Sequence, residues 1–163
     1  MAERGPVALL LVALAVLALS GCGEEGAAGG ATVTVYVSSP LRGSEAEAGR
    51  RLCDEAREQA GQGRGGEELR LRVVCLDASG PDGAWTLAQV GANARRATED
   101  STAVAYVGEP DPEARRQSRP IVAAAEITEL GGMSGREAVA AVRAAIAEGD
   151  ESEPRQAVFD AEG

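Results

Sequence analysis

Apolar residues in this chain occur in two ways: as short continuous blocks, and as isolated positions recurring every three or four residues between those blocks. Thr32–Ser38 (TVTVYVS) and Thr102–Val107 (TAVAYV) are continuous and rich in β-branched and aromatic residues, as strands buried on both faces must be. Leu69–Leu76 (LRLRVVCL) reads as a strand too, and its arginines at alternate positions predict a partly wet edge. Ala48, Leu52, Ala56 and Ala60 follow Ser44-Glu-Ala-Glu47, which has the form of a capping box, so a helix is expected there. Leu87, Val90, Ala94 and Ala97 set a second helix over Trp85–Glu99. Strand, helix, strand, helix, strand predicts parallel βαβ units with right-handed crossovers. The fold class is therefore α/β: a single doubly wound parallel-sheet lobe, a three-layer αβα arrangement, spanning residues 32–148.

Beyond Gly108 a third helix is expected over Glu113–Glu126, kinked or split by Pro120. Ile127–Leu130 is a short strand. Ser134-Gly-Arg-Glu137 is a second capping box, opening a helix whose apolar stripe is Val139, Val142 and Ile146. Residues 149–163 read as an acidic, half-ordered C-terminal tail. Gly61, Gly63, Gly65 and Gly66 follow a helix rather than a strand, so they form a turn and not a phosphate loop.

Pro6–Leu19 is an unbroken apolar run of 14 residues, too short to cross a membrane as a helix and suited to the core of an export signal. Leu19-Ser20-Gly21-Cys22 follows at once and resembles the lipobox of bacterial lipoprotein signals. On that resemblance residues 1–21 are the signal peptide, Cys22 is the lipidated first residue of the mature chain, and residues 22–31 are a flexible tether. A general signal peptide with an incidental cysteine is the other reading. Lipidation places the protein on the extracytoplasmic face of the cell membrane, held by its acyl chains.

Composition narrows the chemistry. Of 163 residues 44% are hydrophobic but only 2% aromatic, so the core must rest on Val, Ala and Leu. The net charge of −10, without a basic run, argues against a nucleic-acid partner. All 16 basic residues are Arg and there is no His, which removes lysine nucleophiles, His-based triads and His-ligated metals. No catalytic residue, metal site or cofactor is assigned, and a carboxylate hydrolase is only a remote option. Cys53 and Cys75 remain once Cys22 is set aside; they are either a disulfide or two buried thiols.

In a doubly wound sheet a ligand sits beyond the carboxyl ends of the strands, where strand order reverses. Those ends carry Ser38 and Ser39, Asp77, and Gly108 and Glu109, the candidate ligand-binding residues. Each has a plainer alternative. The serines can satisfy local backbone, and Asp77 can orient its own turn. Glu109, Asp111 and Glu113 form either a hard-oxygen cation site or, more simply, a solvated acidic loop. Trp85 reads as a packing anchor between helix and sheet.

Val33–Gly43 (VTVYVSSPLRG), Leu76–Gly80 (LDASG), Trp85 through Asn93–Ala97 (NARRA), Ala103–Gly108 (AVAYVG) and Ser118–Ile121 (SRPI) together resemble the periplasmic-binding-protein type I group. Within it, they are most similar to the leucine/isoleucine/valine-type substrate-binding lipoproteins of ABC transporters. The resemblance implies a lobe that captures a small polar, amino-acid-like solute and passes it to an ABC permease. It covers one lobe of a two-lobed family, and Gly135–Ala161 resembles a helix pair found later in such proteins, as after an internal deletion. Family members hold a carboxylate with Ser, Thr or Ala and backbone amides after the third strand; here Glu109-Pro-Asp-Pro-Glu113 stands there, with two prolines that donate nothing. The alternative is a degenerate interaction lipoprotein that binds no solute.

Overall fold

The computed structural model describes residues 31–62, 69–149 and 153–162. Pro6–Leu19, Cys22, most of the 22–31 segment and the glycines at 63, 65 and 66 lie outside the described residues. The continuous apolar blocks become β1 (Thr32–Ser39), β2 (Arg70–Asp77) and β3 (Ala103–Val107), followed by the short β4 (Thr128–Leu130). Between and after them run α1 (Ala46–Gly61), α2 (Leu87–Thr98), α3 (Pro112–Ala123), α4 (Gly135–Glu148) and α5 (Pro154–Glu162). All strand pairs are parallel and the order is β2-β1-β3-β4. Val35 of β1 faces Val73 of β2 on one side and Ala105 of β3 on the other.

Period-two alternation sends the two sets of β1 side chains to opposite layers. Val33, Val35 and Val37 pack with Val139, Val142, Ile146 and Val158, which places α1, α4 and α5 on one face. Tyr36 joins Tyr106, Ala94, Ala97, Val122 and Ile127 on the other face, under α2 and α3. β1 and β3 are buried almost throughout, whereas β2 alternates exposed and half-buried residues at its start, as an edge strand with Arg70 and Arg72 should. The chain thus forms one α/β lobe of three layers.

Local details depart from the sequence expectations for identifiable reasons. The box at Ser44 does not form: α1 starts at Ala46 behind Glu45, which makes no side-chain cap, and the Ala46 amide bonds the Gly43 carbonyl at 3.3 Å instead. The buried stripe of α1 is Ala46, Gly49, Cys53 and Ala56; Ala48 is exposed and Leu52 half-buried. Trp85 precedes α2, in an isolated bridge with Ser79, and packs against the Ala78, Val90 and Ala114 cluster; Thr86 is the cap, accepting from the Gln89 amide at 3.3 Å. Pro120 sits inside α3 without splitting it. It is on the exposed side near the helix end, where the loss of one amide donor costs least. The second capping box, Ser134 with Glu137, is complete in both directions.

The segment read as an acidic tail carries α5. Val158 enters the core at 1% exposure. Arg155 donates to the carbonyls of Ser101 (2.7 Å), Ala103 (2.8 Å) and Asp100 (3.2 Å), stitching the helix to the loop ahead of β3. Cys53 of α1 and Cys75 of β2 are joined by a disulfide with Cα atoms 6.1 Å apart.

Candidate functional site

Because β1 lies between β2 and β3, the connection leaves it in one direction and the next crossover passes over it in the other. The strand order therefore reverses between β1 and β3, and it is beyond the carboxyl ends of strands at such a point that doubly wound sheets seat a ligand. The structure brings Ser38, Ser39, Gly108 and Glu109 to this point, with Asp77 one strand away.

Asp77 acts on its own loops. One carboxylate oxygen accepts from the amides of Leu41 (3.0 Å) and Ser79 (2.9 Å), and the other from the Arg42 guanidinium. Burial works against its ionisation, but these donors and the Ser79 hydroxyl outweigh it and hold the carboxyl far below the ordinary range. Ser79 adds to the clamp, accepting from the amides of Leu41 and Arg42 at 3.1 Å each. The β1–α1 and β2–α2 loops also cross at Gly43 and Gly83, both at positive φ. A Cβ on Gly43 would lie 2.3 Å from the Gly83 Cα, and one on Gly83 would lie 2.5 Å from the Gly43 Cα. Asp77 is thus the turn-orienting residue that its spacing also allowed.

Ser38 is fully buried and does not cap local backbone. Its hydroxyl accepts from the Asn93 side-chain amide at 3.0 Å, and the same amide reaches the Asp77 carbonyl at 3.2 Å. Asn93 ties α2 to the ends of β1 and β2, and the sequence analysis did not single it out. The signal was present: an amide side chain stands inside the stripe Val90, Ala94, Ala97.

Glu109 is not part of a solvated loop. It is 2% exposed, and one of its carboxylate oxygens has no hydrogen-bond partner. Burial, and then the Glu45 carboxylate, push its pKa up from 4.5 to about 8, so it is mostly protonated at neutral pH. Asp111 caps α3, accepting from the Glu113 amide at 2.7 Å. Among the described residues no group of three acidic or cysteine side chains is placed to hold a metal ion. Beside Glu109 the Tyr106 hydroxyl is fully buried without a hydrogen-bond partner. Burial raises its pKa, the nearby Ser38 hydroxyl opposes the rise, and the carboxylates of Glu109 and Glu129 add to it. Glu129 is itself raised by burial, against its bond from Ser118 and the fields of Arg119 and Arg115. Gly108 leaves room for this pair of strands: a Cβ there would lie 2.8 Å from a Glu129 carboxylate oxygen.

The switch point therefore presents hydroxyls, a neutral carboxyl and nearby acidic groups, and the Arg42 guanidinium in the loop beside it is paired with Asp77. Its chemistry suits donors and positive charge, and it opposes a bare carboxylate.

No protein-family model and no curated protein matches the chain. Among solved structures, a leucine-binding protein, LivK, from Thermotoga maritima superposes with a TM-score of 0.52 at 15% identity, over 80% of this chain and 45% of that one. An ABC transporter solute-binding protein from R. palustris, in complex with 4-hydroxybenzoate, gives 0.52 at 16% identity, over 81% of this chain and 44% of its own. The fold is thus that of a periplasmic-binding-protein lobe, and the chain spans less than half the length of either neighbour.

Proposed function

We propose that the protein is an extracytoplasmic lipoprotein, anchored through Cys22, whose lobe binds a small polar solute at the β1/β3 switch point and hands it to an ABC permease. The observation that carries this reading is the convergence of buried, partly unpartnered polar groups (Ser38, Tyr106, Glu109) where a doubly wound sheet places its ligand. The solved neighbours, named as leucine-binding and solute-binding proteins, support it through their fold. Residues 1–21 are the signal, 22–31 the tether and 32–148 the lobe, to which α5 contributes its buried face. Asp77 shapes the loop above the site, while Ser38, Ser39, Gly108 and Glu109 line it. The local chemistry makes the solute neutral or cationic rather than an anion, which sets it apart from a simple carboxylate binder.

No helix among the described residues is long and apolar enough to cross a membrane. The burial of Glu109 favours a second reading, an interaction lipoprotein whose crevice is already filled by its own side chains. A thermal-shift panel on the full chain separates the two. Primary amines, amino acids, polyols and monocarboxylates at millimolar concentration would be compared. Stabilisation by amines or polyols, abolished in Glu109→Gln or Ser38→Ala, is expected; silence across the panel removes solute binding and leaves the interaction reading.

A further inference from the structure

A second site lies away from the switch point. A cavity of about 620 Å³ is lined by Arg115, Arg116 and Arg119 of α3, Ile127 and Thr128 at β4, and Phe159 of α5. α3 and α5 cover opposite faces of the sheet, so a cavity that touches both together with β4 must wrap around the sheet edge. Among the described residues β4 is the terminal strand and pairs only with β3, leaving its outer backbone groups on the side of this groove. The Thr128 hydroxyl is buried, at 6% residue exposure, and has no partner. In a chain of net charge −10, three guanidiniums line one groove, against one carboxyl in its lining, that of Glu129, which accepts from the Ser118 hydroxyl. None forms a hydrogen bond or ion pair with a described residue, Arg115 and Arg119 acting on Glu129 only through their field.

We infer that this edge docks an extended acidic peptide segment of a partner protein, added as a strand beside β4. Main-chain bonds to β4 supply registry, alternate apolar side chains reach the floor formed by Ile127 and Phe159, and carboxylates between them meet Arg115, Arg116 and Arg119 in the forked geometry that guanidinium favours. The groove's position along an unpaired strand favours an extended chain over a compact anion. Symmetric pairing of two copies through this edge is opposed by charge, since it would set the three arginines of one copy against those of the other.

The test is fluorescence anisotropy on the full chain with a labelled Val-Glu alternating heptapeptide. The comparison probes are its Val-Lys counterpart, a version N-methylated at alternate residues, and benzoate as a small anion. The expected result is saturable binding of the acidic peptide, lost on N-methylation and weakened about tenfold by Arg115→Gln with Arg119→Gln. Arg119 is exposed and Arg115 half-buried, and circular dichroism checks that the variants fold. Equal binding of the basic peptide, binding indifferent to the arginine changes, or no binding at millimolar peptide overturns the assignment. Full competition by benzoate with no effect of N-methylation also overturns it, in favour of a small-anion pocket. Solute binding at the switch point is read separately, so failure of either leaves the other standing.

Discussion

A carboxyl group with 2% of its surface exposed and an oxygen lacking any partner is a place where pH acts on the fold. Glu109 has its pKa raised from 4.5 to about 8. Between those values the native protein keeps a proton that the unfolded chain has released, so stability falls as pH rises through that window and levels off above it. Asp77 acts in the opposite sense: its lowered pKa adds stability that is present above 3.8 and lost on acidification. Glu109→Gln should flatten the decline between pH 5 and pH 9 in urea-denaturation midpoints. A variant that keeps the parent's slope would show that another group titrates. Spacing alone marked Glu109 as a candidate but read it as solvent-facing, because three acids and two prolines in five residues resemble a surface loop. Only the tertiary arrangement around the segment after β3 makes it a buried group. Asn93 escaped notice for the converse reason: its partner Ser38 is 55 positions away in sequence.

At the scale of elements, the helices and strands were legible wherever periodicity alone decides them. The stripe of α4 and its Ser134–Glu137 box needed no tertiary help, since both bonds close within one turn. At α1 the local code failed. Ser44 offers the same residues as a cap, but the sharp turn at Gly43 and the disulfide at Cys53 reset the helix start and rotate its buried face toward Gly49 and Cys53. That disulfide ties α1 to the edge strand β2 across a sequence separation of 22. Closing a loop of that size stabilises by about 3 kcal/mol. Cys53→Ala, or reduction of the parent, should therefore lower the melting temperature by about 10 °C in a circular-dichroism melt. Coincident melting curves would mean the cross-link adds nothing to the fold. α5 was legible only through the family resemblance of Gly135–Ala161 to a helix pair, because its own stripe is short and its flanks are acidic; Arg155 and Val158 dock it through contacts with β3 and the loop before it.

At the scale of the molecule, attachment is the property to test. With lipid on Cys22, Cys22→Ser should move the protein from the membrane fraction to the soluble fraction, or leave the signal uncleaved, while the lobe's melting temperature stays put. Unchanged membrane partitioning of that variant would discard the anchor. By itself the sequence determined the class of fold and its order of elements, since continuous apolar blocks and 3.6-residue stripes are local patterns that hydrophobic burial reads directly. Tertiary structure alone decided which polar residues are enclosed at the switch point, which strand edge stays open beside three arginines, and how the acidic C-terminal segment docks on the sheet. Those outcomes depend on what segments far apart in the chain lay over one another, and burial is a property of that arrangement rather than of any residue's neighbours in sequence.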